Sequence, residues 1–155
     1  MYRTLQVLAM PLVGVCIGAS VVPDTESDIL LPGTVVEEKA IFSEADVELM
    51  ALVTMAEAEG ECEEGKRLVI DTVLNRVDSE YFPDTVYKVV YQENQFSSMW
   101  NGRVERVMAT EELCQMVEEE IESRTNTDVI FFNAEHYSEY GEPLFQVGNH
   151  YFSSY

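Results

Sequence analysis

The sequence predicts an α+β domain, mainly helical, with a small β-sheet near its C-terminus. Three observations predict it. Residues 43–60 and 63–77 are apolar on more than one side at helical spacing, which marks buried helices. Residues 110–123 carry a single apolar stripe, Leu113, Val117 and Ile121, among glutamates, which marks a surface helix. Short β-branched and aromatic runs at 129–132 and 144–147 are bounded by turn residues, which marks strands.

Taken in order, residues 1–22 open with Met-Tyr-Arg, continue without charge from Leu5 to Val22, and carry small residues at Gly18, Ala19 and Ser20. This is the three-part form of a secretion signal, with a retained membrane anchor or a buried N-terminal helix as alternatives. Residues 23–42 mix acids, prolines and short apolar pieces without a period and read as a linker. The domain is expected to fill 43–155. Ser43 followed by Asp46 resembles a capping box, and Gly60 is a stop for the helix it opens. A second helix is expected over 63–77. Asp84 is the expected cap of a short third helix over 85–91, and residues 92–103 are aperiodic and read as a loop. The fourth helix follows at 110–123. After the 129–132 strand come a long turn, a strand at 144–147, and Gly148 to Phe152 closing the domain.

Composition excludes some functions. With 29 acidic and 9 basic residues the net charge is −20, which argues against nucleic acid as a partner, because phosphate contacts need clustered Lys and Arg. The two histidines, His136 and His150, fit no metal-ligand spacing, and the chain has no phosphate-binding glycine loop and no nucleophile elbow. No metal and no cofactor is therefore expected. A Cys-His hydrolase built on Cys62 is disfavoured by Glu61, Glu63 and Glu64 beside the thiol. If the leader is removed, Cys62 and Cys114 remain, either as a disulfide or as two separate thiols.

The candidate chemistry lies in MAEAEGECEEG, residues 55–65, which holds Glu57, Glu59, Glu61, Glu63 and Glu64 directly after an uncharged run. Glu57 is the first acid after that run and still belongs to the helix. Desolvation and neighbouring like charge both favour the protonated form of a carboxyl. A carboxyl that keeps its proton is what cleavage of a glycosidic bond requires. From the residues alone, an ordinary charged helix terminus remains the alternative.

AEAEGE (56–61), EGKRLVIDTVLNRV (64–77), FPDTVYKVVYQENQFS (82–97), VIFFN (129–133) and GNHYF (148–152) together resemble the cell wall hydrolases of the spore cortex-lytic enzyme type. The resemblance spans about 47 to 152, with the motifs in the family's order. It implies a lysozyme-like or lytic-transglycosylase-like catalytic domain that cuts the glycan strands of peptidoglycan. It also implies that Glu57 is the acid, with Glu61 supporting the loop or sharing the chemistry. Gln95, Phe96 and Ser97 match a motif expected to line the glycan groove or to anchor its loop. Asn149 and His150 match another, with His150 orienting a carboxylate, bonding a sugar, or serving structure alone. Asn75 and Arg76 are expected in a structural network that holds the active helix. Trp100, Tyr137 and Tyr140 are candidates to stack on sugars. One departure stands out: Glu59 occupies a position where the family usually carries arginine. A single acid favours the transglycosylase route, in which the muramic acid's own hydroxyl closes an anhydro ring. Hydrolysis, a wall amidase and a wall-binding module without activity are the alternatives. The resemblance implies export to the cell wall.

Overall fold

A computed structural model describes residues 41–155. The leader expected at 1–22 and the linker residues 23–40 lie outside the described residues. Four helices, α1 (Glu44–Ala58), α2 (Glu63–Asp78), α3 (Val86–Val90) and α4 (Glu111–Glu122), precede three strands, β1 (Phe131–Asn133), β2 (Pro143–Val147) and β3 (His150–Ser153). The fold class is the one expected.

α1 begins where its capping box predicts: the Ser43 hydroxyl accepts from Asp46 N–H at 3.2 Å, and Asp46 Oδ2 accepts from Ser43 N–H at 3.0 Å. It packs against α2, α3 and α4 and buries Met50, Ala51 and Val53 completely. These meet Ile70, Val73 and Leu74 of α2 and Val89 of α3 in the main core. Each such side chain contributes about 1.5–3 kcal/mol by leaving water. α3 is capped by Thr85, whose hydroxyl accepts from Lys88 N–H, and not by the expected Asp84; Asp84 instead pairs with the Lys88 ammonium at 2.8 Å. The expected loop at 92–103 contains a 3-10 turn at Ser97–Met99.

The sheet is antiparallel in the order β1-β3-β2, so the GNHYF segment supplies the central strand. Phe152 of β3, Leu68 of α2 and Val129 form a second, smaller core beneath it. Asn75 and Arg76 tie α2 to the chain entering β1: Asn75 Nδ2 donates to Val129 O at 2.9 Å and Arg76 Nε to Ile130 O at 2.8 Å. These bonds fasten α2 to the sheet, whereas the network was expected to hold the active helix.

α4 departs from its simple surface pattern. Glu120, counted among the solvated acids by periodicity, is only 1% exposed. It accepts from Arg67 Nη1 at 2.8 Å and from Thr125 N–H at 2.6 Å, which compensates its burial. Asp71 of α2 lies against the same carboxyl and accepts from Asn126 N–H at 2.8 Å.

Candidate active site

Glu57 sits in the last turn of α1, half-buried, between buried Ala56 and Ala58. Its Oε1 accepts the backbone N–H of Ser98 at 3.2 Å. That N–H is free because Ser98 stands in the first turn of the 3-10 segment, where intrahelical acceptors are lacking. The Ser98 hydroxyl is buried and has no protein partner. Glu57 thus ends a fully packed helix and is held from the opposite wall by a main-chain donor.

Glu61 has a different arrangement. Its two carboxylate oxygens accept from Asn149 N–H at 3.1 Å and Asn149 Nδ2 at 2.8 Å. The Asn149 side-chain bond holds the Glu61 carboxyl below the usual carboxylate range. The turn it grips carries Gly148 at φ +57°, where an added Cβ would collide with Glu61 Oε2. The two motifs AEAEGE and GNH therefore meet in space as a latch between the α1–α2 turn and the β2–β3 turn.

His150 follows that latch into β3. It is 6% exposed, lies 5.0 Å from the Phe132 ring, and leaves Nδ1 buried without a partner. Burial pushes its imidazole below the usual range, while the charges of Glu61 and Glu57 pull it back up.

The remaining acids of the cluster disperse. Glu59, in place of the family's usual arginine, meets Arg103 Nη2 at 3.4 Å across an exposed gap. Glu63 pairs with Arg67 at 2.8 Å, and Glu64 is exposed. Among the described residues no three Asp, Glu, His or Cys side chains converge where they could hold a metal ion. Cys62 and Cys114 are both free thiols, so the disulfide alternative does not hold.

The QFS motif divides. Phe96, one of the residues expected to line the groove, is 1% exposed and packs in the main core against Phe132 at 6.1 Å. Its ring is the loop's anchor, because the 3-10 turn needs an apolar residue to fasten it to α1. Ser97 is exposed and lines a groove of about 620 Å³ with Tyr91, Glu93, Asn94, Trp100 and Asn101. Gln95 is exposed and lines a smaller cavity of about 220 Å³, which shares Asn94 with that groove. Trp100 is 61% exposed and meets Tyr91 edge-on at 6.0 Å. Tyr137 instead packs against Tyr151 at 5.2 Å, and Tyr140 borders the smaller cavity. A further cavity, about 680 Å³, lies between the start of α1 and α4. It holds none of the motif residues, and its rim of Glu44, Glu48 and Glu118 repels an anionic substrate.

Sequence reasoning missed Ser98, whose contribution is a main-chain N–H that no side-chain motif encodes. It also missed the cavity beside Arg76, since only burial shows that its charge lacks a partner.

The fold is one that solved structures share. The catalytic domain of the Bacillus cereus SleB protein superposes with a TM-score of 0.65 at 24% identity, covering 74% of this chain and 93% of that one. A family profile described as Cell Wall Hydrolase matches residues 60–153, more than half of the chain, and the chain belongs to that family. Glu61, Gln95, Ser97, Asn149 and His150 fall inside the matched stretch, and Glu57 lies just before it. A spore cortex-lytic enzyme of Oceanobacillus iheyensis is 38% identical over 63 residues, 41% of this chain and 23% of that protein. One of Halalkalibacterium halodurans is 32% identical over 82 residues, 53% of this chain and 25% of that protein. The chain thus spans about a quarter of the length of these curated relatives.

Proposed function

We propose that this protein cuts the glycan strand of peptidoglycan between N-acetylmuramic acid and N-acetylglucosamine, with Glu57 as the acid. The observation that carries the proposal is the half-buried Glu57 carboxyl at the end of α1, which accepts at 3.2 Å from Ser98 N–H of the loop whose Ser97 and Trp100 line a groove. Family membership and the spore cortex-lytic relatives support the substrate class.

In the first step Glu57 passes its proton to the bridging oxygen, and the bond from that oxygen to C1 of the muramic acid breaks. Positive charge develops at C1. The Glu57 carboxylate then takes the proton from the muramic acid's 6-hydroxyl, whose oxygen closes on C1 to form a 1,6-anhydro ring. The acid is regenerated and no water is consumed. Glu61, the second acid of the motif, is engaged with Asn149, which leaves Glu57 to act alone. The Ser98 N–H steadies the carboxylate between the two proton transfers. The chain works at the cell wall, reached through residues 1–22 as a signal or an anchor.

Hydrolysis is the second reading, favoured by Glu93, the carboxylate on the groove wall. Digestion of purified peptidoglycan by wild type and by Glu57→Gln, read by mass spectrometry, tests both. The transglycosylase reading expects anhydro ends from the wild type and no muropeptides from the variant. Reducing ends would establish hydrolysis, and equal release by the two proteins would remove Glu57 from the chemistry.

A further inference from the structure

Arg76 belongs to a buried stretch of α2 and is 4% exposed. Among the described residues its guanidinium makes one hydrogen bond, from Nε to Ile130 O, and no ion pair. Nη1 is buried without any acceptor. The rings of Phe82, Phe96 and Phe131 surround Cζ at 5.1, 5.2 and 5.6 Å. Their faces attract a cation but supply no acceptor for its N–H groups. Burial lowers the Arg76 pKa to about 10, which leaves the group charged at neutral pH. A buried cation short of acceptors is a costly arrangement, and one that a bound anion relieves.

The cavity of about 220 Å³ lies directly against this group. Gln95, Asn133 and His136 line it with hydrogen-bonding side chains, and its one acid, Glu139, is exposed and makes no pair with Arg76. A guanidinium edge flanked by amides offers a carboxylate charge-assisted N–H donors. The volume is ample for a carboxylate-bearing substituent. Gln95 of this cavity and Ser98 at Glu57 are three residues apart, so their Cα atoms lie within about 10 Å. A glycan strand bridging Glu57 brings the substituent of a nearby muramic acid within that reach.

Resting on the glycan-cleavage reading above, we propose that Arg76, with Gln95 and Asn133, forms a subsite for a carboxylate carried by the muramic acid of the substrate. That carboxylate belongs either to the sugar's own lactyl group or to the peptide stem attached to it. The subsite selects the muramic acid residue and sets which sugar lies at Glu57. It also gives a chain of net charge −20 a local cation for an anionic polymer.

The test is a titration of the full chain, wild type and Glu57→Gln, with three probes: N-acetylmuramic acid, muramyl dipeptide and N-acetylglucosamine. Nuclear magnetic resonance follows the Arg76 Nε–H and the Gln95 and Asn133 side-chain amides. The acidic probes are expected to shift these signals and N-acetylglucosamine to leave them in place. A shift by N-acetylmuramic acid assigns the lactyl carboxylate, and a shift by muramyl dipeptide alone assigns the stem. Arg76→Met is expected to weaken the acidic probe at least tenfold. Should that variant not fold, Gln95→Ala and Asn133→Ala are expected to weaken it about threefold each, with melting temperatures unchanged for the exposed Gln95. Equal effects of all three probes, or none from any, would make Arg76 a structural clamp only. Binding is read without turnover, so the two readings separate. Carboxylate binding in a protein that releases no muropeptides overturns the cleavage reading alone.

Discussion

Glu57 Oε1 and Ser98 N–H meet at 3.2 Å across 41 residues of sequence, joining the end of the central helix to the loop that walls the groove. The relationship makes the first prediction. Glu57→Gln keeps an acceptor for Ser98 N–H and removes the acid. Melting temperature is expected to stay within a few degrees of wild type, while glycan cleavage falls by about 10²–10⁴-fold. Muropeptide release measured beside thermal denaturation checks it, and a loss of folding in step with activity would assign Glu57 a structural role instead.

The Glu61–Asn149 latch depends on a glycine. Gly148→Ala forces a side chain into the left-handed region and against Glu61 Oε2. The backbone strain alone is about 1–2 kcal/mol. Calorimetry is expected to show a clear drop in melting temperature, partly recovered by adding Glu61→Gly. A Gly148→Ala protein as stable as wild type would show that the latch carries no strain.

Asp71 and Glu120 share a buried corner between α2 and α4. Burial and the neighbouring Glu120 push the Asp71 carboxyl above its usual range, while the Asn126 N–H opposes this. Asp71 Oδ1 has no donor, so a proton on Asp71 satisfies both carboxyls. A raised folded-state pKa binds more protons in the folded chain than in the unfolded one. Its stabilisation is therefore full below the ordinary carboxylate range and is lost progressively as pH rises from there through about 8. Asp71→Asn, which donates without titrating, is expected to flatten that loss in a series of melting curves. Parallel curves for the two proteins would deny the shared proton.

His150 works in the opposite sense. Burial lowers its pKa, so the neutral form belongs to the folded state, and stability declines as pH falls through the imidazole range. His150→Gln is expected to remove that decline while leaving the Asp71-linked loss unchanged.

Two groove residues separate binding from chemistry. Trp100→Ala removes an exposed ring that offers a sugar an apolar face, and is expected to raise KM severalfold, about 0.5–1.5 kcal/mol, with kcat preserved. Glu93→Gln is expected to leave product chemistry unchanged on the transglycosylase route. Abolished cleavage in that variant would make Glu93 the second carboxylate of a hydrolase.

Local pattern was enough for several elements. The Ser43–Asp46 box starts α1 where it should, Gly60 follows its end, and the all-round apolar faces of α1 and α2 do form the core. The family resemblance named Glu61 and Asn149 as candidates without pairing them. Helix caps and periodicity are short-range properties, decided within one or two turns of chain, so a sequence carries them openly. Tertiary structure decided the rest. It turned Phe96 inward, buried Glu120 beneath Arg67, and set Glu61 against Asn149 from 88 residues away. It also left Arg76 Nη1 enclosed without an acceptor. Each of these depends on which side chain a folded chain brings back to meet another, and on how much water that meeting removes.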